Sequence, residues 1–241
     1  MATGGHGQSQ GGATLAGMTD RPAAEIVLTE TAPLRFWGVE TGSRMTVVRL
    51  ASGGLFVHSP IPLQPALRER VAALGEVVAI VAPSKFHHLS CGQWAQAWPG
   101  AVLCGCPGVV KRRPDLPWHH TLCDEPHPLW EGQLAQVHFA ARSLEDEVVF
   151  FVPGARTMVC ADAVFHLGAH PSPFTRCVAA CLGNHGPGAT WLERLLIRDR
   201  AAARAQVGRM VGWDVERILL AHGPPVEAGG RGVLERAYGW L

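Results

Sequence analysis

Apolar and polar positions along the chain alternate between short, dense runs and helical spacings. Val77–Val81 is a continuous apolar run rich in β-branched residues, closed by Pro83, the pattern of a strand buried on both faces. Met45–Leu50 and Leu55–His58 flank the glycine-containing Ala51–Gly54, so two paired strands are predicted within residues 34–58. Leu67, Val71 and Leu74 recur at helical spacing, which predicts a helix over Pro62–Gly75. Further strands are predicted at Ala101–Cys104, Gln136–Ala140, Val148–Val152, Thr157–Cys160 and Arg217–Ala221, with Leu144–Glu147 as a link. Gly105–Pro128, dense in proline, tryptophan and histidine, reads as irregular. Between Gly188 and Trp213 the apolar stripe Leu192, Leu195, Leu196, Ala203, Val207 and Met210 predicts one long helix. Gly232–Leu241 predicts a closing helix.

This order, β-β-α-β and then a weaker second version, predicts an α/β domain of two mixed sheets flanked by helices over residues 30–241. Residues 1–20 carry little to bury and read as a disordered tail. With 241 residues, 47% hydrophobic content and 17% charge, the chain has ample material for one core. A net charge of +1 gives no electrostatic reason to expect nucleic acid or a membrane surface as partner. Seven cysteines without a C-x-x-C pair suggest free thiols, hence a cytoplasmic setting. The expected partner is a small-molecule substrate or ligand, with oligomeric state left open.

Candidate chemistry gathers at strand ends. The loop after Val77–Val81 carries His87 and His88, Asp162 follows Thr157–Cys160, and His222 follows Arg217–Ala221. Strand ends of this kind line up along one sheet edge, where α/β folds build sites. Imidazoles with one carboxylate suit zinc first, then iron or manganese. His58 either caps its strand or lines the site. Cys104-x-Cys106 and His119-His120 lack a second ligand pair and read as packing or surface.

The phrases RMTVVRL (44–50), HSPI (58–61), APSKFHHL (82–89) with Trp94, EVVFF (147–151), AHG (221–223) and the terminal Trp240-Leu241 together resemble a family of uncharacterised domains on the metallo-β-lactamase fold, an αββα sandwich. That resemblance implies a degenerate metal motif. Pro83 and Lys85 stand where the superfamily has its first two histidines, and Ser143 falls where a further histidine is expected. His87 falls at the aspartate position and His88 at the last histidine, while Asp162 and His222 match the bridging aspartate and terminal histidine. The implied site is therefore mononuclear: His88, Asp162 and His222 as ligands, His87 as fourth ligand or general base. Asp162 serves as both ligand and catalytic carboxylate. Glu147 is either a compensating carboxylate lining the site or an edge-strand charge, and Lys85 is a site-lining candidate. Two functions compete: a metal-dependent hydrolase-like enzyme, or a catalytically degenerate member that binds a small molecule or protein.

Overall fold

The apolar runs become the strands of two sheets. The structure, a computed structural model, describes residues 23–141 and 146–241. The expected tail over 1–20, Ser143 and part of the predicted link before Glu147 lie outside the described residues. The first half contains β1 (Glu25–Ala32), β2 (Arg35–Phe36), β3 (Val39–Glu40), β4 (Ser43–Arg49), β5 (Leu55–His58), α1 (Pro65–Leu74), β6 (Val77–Ala82), α2 (Cys91–Ala97), β7 (Val102–Gly105), α3 (Pro107–Arg112) and β8 (His120–Thr121). Strands β2 and β3 form a separate hairpin, and the others a sheet in the order β1-β4-β5-β6-β7-β8. Short connections leave β1, β4 and β5 antiparallel. A helix intervenes before each of β6, β7 and β8, and those strands pair in parallel.

The second half contains β9 (Ala135–Phe139), β10 (Glu147–Val152), β11 (Thr157–Cys160), α4 (Pro173–Cys181), α5 (Leu192–Leu196), α6 (Arg200–Val211), β12 (Arg217–Leu220) and α7 (Gly230–Tyr238). Its sheet runs β12-β11-β10-β9, with only β11 and β12 parallel.

The period-two alternation of β10 glues the layers together. Val148, Phe150 and Val152 pack into the core shared with the first sheet, while Val149 and Phe151 face Ala203, Val207 and Met210 of α6 and Val233 and Leu234 of α7. Phe150 meets Phe56 of β5 edge-on, with ring centroids 5.1 Å apart. Burying one such ring stabilises by about 1.5–3 kcal/mol. Leu67 and Val71 of α1 and Trp94 of α2 join the first-sheet core. The architecture is the helix-flanked two-sheet sandwich, αββα, that the strand pattern predicts.

Several elements differ from expectation. The single helix predicted between Gly188 and Trp213 is two, because the Asp199 side chain accepts a hydrogen bond from Ala202 N and starts α6 anew. β1, α3, β8 and α4 were not predicted; α3 and β8 lie inside the stretch read as irregular. All seven cysteines are free. Among the described residues no helix is long and apolar enough to cross a membrane.

Candidate metal centre

Two backbone arrangements carry the site. Parallel β11 and β12 pair with Cys160 opposite Leu220, and Asp162 and His222 each follow two residues later. Equal offset from one register pair brings the two side chains out side by side. On the other sheet, β6 ends at Ala82 and a turn over residues 83–90 follows. Its start is tied to the second sheet: Val148 N donates to Pro83 O at 2.8 Å, and Ser84 bridges Glu147. This tie brings His87 across to the other two residues.

His87 Nε2 lies 3.1 Å from His222 Nε2 and 3.5 Å from Asp162 Oδ1, and His222 Nε2 lies 3.2 Å from that same oxygen. The three are buried, and they form the one group of three or more potential ligands found among the described residues. Each is held from behind. Ser59 Oγ is 2.7 Å from His87 Nδ1, Ser84 Oγ donates to Asp162 Oδ2 at 2.6 Å, and His222 Nδ1 donates to the Gly42 carbonyl at 2.8 Å. Glu147, fully buried, accepts from the backbone N–H groups of Ala161 and Asp162 and so fixes the strand end that bears the aspartate.

The electrostatics follow from burial and proximity. Burial works to raise the Asp162 pKa, but the charges and hydrogen bonds of His87 and His222 prevail and hold it well below the carboxylate range. Burial likewise works to lower that of His222, but Asp162 and the carbonyls of Gly42 and Thr41 prevail and raise it. An ionised carboxylate oxygen and two imidazole nitrogens therefore face one point, each oriented by a hydrogen bond on its far side. That is the donor set and outer support of a divalent-ion site, and the residues present fit such an ion.

The other predicted residues fall elsewhere. His88 does not join the cluster, which corrects the expected convergence of His88, Asp162 and His222. Its Nδ1 lies 3.0 Å from the Arg113 guanidinium instead. Burial, then the charges of Arg113 and Arg112, lower its pKa. Consecutive residues of the turn face different surroundings, and His87 takes the inward position. His87 turns Nε2 to the cluster and Nδ1 to Ser59, the orientation of a ligand. Glu147 is no ligand in this arrangement, since its carboxylate braces the backbone. His58 is buried edge-on to Phe150 with Nε2 unbonded, and burial lowers its pKa to about 3. Lys85 is half-buried and forms no ion pair among the described residues. Sequence reasoning missed Ser59, Ser84 and Gly42; the only signal was Ser59 before proline at a strand end. It also missed the β2–β3 hairpin, whose Trp37 is 91% exposed and whose Phe36 meets Phe86 of the histidine turn at 5.9 Å.

The fold is similar to that of several metallo-β-lactamases. One from Pontibacter korlensis is 12% identical with a TM-score of 0.58, covering 90% of this chain and 97% of that one. One from Hirschia baltica is 15% identical with a TM-score of 0.56, covering 90% and 97%. The enzyme FIM-1 from Pseudomonas aeruginosa, in its mono-zinc form, is 13% identical with a TM-score of 0.56, covering 88% and 89%. At such identities the likeness shows the fold alone. No curated protein sequence matches this chain significantly. Residues 34–221 match the model of the family described as a domain of unknown function (DUF4336), and the chain belongs to that family, here on a metallo-β-lactamase-like fold.

Proposed function

We propose that the protein is a mononuclear metal-dependent hydrolase-like enzyme acting on a small molecule in the cytoplasm. The observation that carries this reading is the convergence of His87 Nε2, Asp162 Oδ1 and His222 Nε2 within 4.8 Å of one another. These three residues would hold one divalent ion, zinc in preference to iron or manganese because two of the three donors are imidazoles. When bound, such an ion supplies Lewis acidity toward a water molecule and a substrate ester, thioester, amide or phosphoester. The chain supplies the rest. Ser59 and Gly42 orient the imidazoles, Ser84 holds the outer aspartate oxygen, and Glu147 keeps the aspartate backbone from drifting. Pro83 and Lys85 offer no imidazole for a second ion.

The test is metal analysis of untagged protein. We expect one ion per chain, lost in His222→Ala. Two tightly held ions, or none, would sink the assignment. A second reading, a catalytically degenerate binder, draws support from the burial of all three residues, each only 5–6% exposed, which leaves a substrate little room. Stoichiometric metal with no turnover on a panel of esters, thioesters, amides and phosphoesters would favour it.

A further inference from the structure

A cavity of about 430 Å³ opens between the loop over residues 183–191 and the C-terminal end of α7, and none of His87, Asp162 and His222 lines it. It backs onto the metal centre without joining it. Gly188 in its wall pairs with Phe165, whose ring stacks on the His222 imidazole at 5.5 Å. Gly186 and Gly188 keep the loop side of the cavity bare, and Trp191, Arg194, Arg236 and Trp240 supply its large side chains. Both indole N–H groups are already donated, Trp191 Nε1 to Cys181 O at 2.7 Å and Trp240 Nε1 to Ala237 O at 3.0 Å. The two rings therefore offer the cavity apolar surface rather than donors.

The charge around this cavity has one sign. Arg194 and Arg200 both lie over the Trp240 ring, each guanidinium carbon 5.6 Å from its centroid. The face of an indole attracts a cation, but two cations on one ring repel each other. Arg236 lines the same cavity, and among the described residues none of these three arginines forms an ion pair. The carboxylates nearest them in sequence are placed elsewhere: Asp199 caps α6, Glu235 pairs with Arg231 at 2.9 Å, and Glu193 is buried outside the cavity wall. We propose that this cavity binds a small phosphorylated molecule with a flat apolar body. A phosphate monoester carries a charge of about −1.5 to −2 near neutral pH and three acceptor oxygens. It offsets more of the arginine charge than a carboxylate does, and guanidinium forks engage its oxygens in pairs. A bare phosphate would leave most of the cavity empty, whereas a flat apolar group can lie against Trp191, whose side is 46% exposed.

The experiment is calorimetric titration of the full chain at low ionic strength with phenylphosphonate, which has no ester bond to hydrolyse. Inorganic phosphate and benzoate serve as comparisons. We expect one phenylphosphonate bound per chain, with affinity falling about tenfold or more in the double variant Arg194→Gln, Arg236→Gln. Both positions are exposed, so the variant should keep its melting temperature. Benzoate should bind more weakly for want of charge, and inorganic phosphate for want of a ring. Absence of binding to the unsubstituted chain overturns the proposal, as does unchanged affinity in the double variant or, should that variant unfold, in both single variants. Binding that vanishes when a chelator strips the chain of metal overturns it too, because the ligand would then sit at the metal centre. Benzoate binding as tightly as phenylphosphonate would overturn the phosphoryl assignment, and inorganic phosphate doing so would overturn the flat apolar body.

Discussion

In the second half of the molecule, Asp162 and His222 leave adjacent parallel strands at the same offset from the Cys160–Leu220 pair, with a buried carboxylate and a carbonyl bracing them. In the first half, His87 sits five positions past the end of β6, within a turn, and a hydroxyl supports its ring. The ladder fixes two donors as a pair within one sheet, and the turn adds a third whose place depends on contacts between the two sheets.

Breaking the ladder pair should have the largest effect. Asp162→Ala or His222→Ala should reduce metal affinity by more than the ~100-fold that loss of an outer partner can cost, as read by competition with a chelating dye. Wild-type affinity in either variant would remove the ladder from the account. Next comes the brace itself. Glu147→Ala leaves the N–H groups of Ala161 and Asp162 without their acceptor in the core, and should cost about 2–4 kcal/mol in urea unfolding. A cost below about 1 kcal/mol would mean that the strand end holds itself.

Acid should act on the first half through His58. His58 has its pKa depressed to about 3 in the folded chain, against about 6.5 unfolded. Between these values the unfolded state binds the extra proton, so stability is fully present above pH 6.5 and is lost as pH falls toward 3. By pH 5 the loss should reach about 2 kcal/mol, and His58→Gln should flatten that limb of the stability–pH curve. An unchanged slope in the variant would assign the acid limb to other groups. The smallest effect sharpens the contrast within the turn: His88→Ala should leave metal content unchanged, while His87→Ala lowers it. Equal losses would restore His88 as a ligand.

How much of this was legible depended on how strongly each residue was tied to local pattern. β5 and β11 fall where their apolar runs predict them, because strands buried on both faces are apolar along almost their whole length, His58 and Thr157 at their ends excepted. β1, half-buried along most of its length, lacks such a run and was missed. The break between α5 and α6 was hidden because the apolar stripe continues in phase across it, and only the Asp199 cap betrays a restart. Asp162 and His222 stood out as polar residues just past buried strands. The choice between His87 and His88 did not, since it depends on how the turn over 83–90 is pinned to β10 by Pro83 and Ser84, contacts between residues distant in sequence. Ser59 was invisible for the same reason: its partner lies 28 positions away.

The span of the His87–His222 contact has a kinetic consequence. These residues are 135 positions apart, so an ion gripping both would close a loop comprising more than half the chain. Loop-closure entropy rises slowly with length, so a clasp over so long a span restricts the unfolded chain about as strongly as a disulfide would. Such a clasp must open before the sheets can part. The loaded protein should therefore lose its fold no faster than it loses its ion, so its lifetime under protease would be no shorter than the ion's residence time.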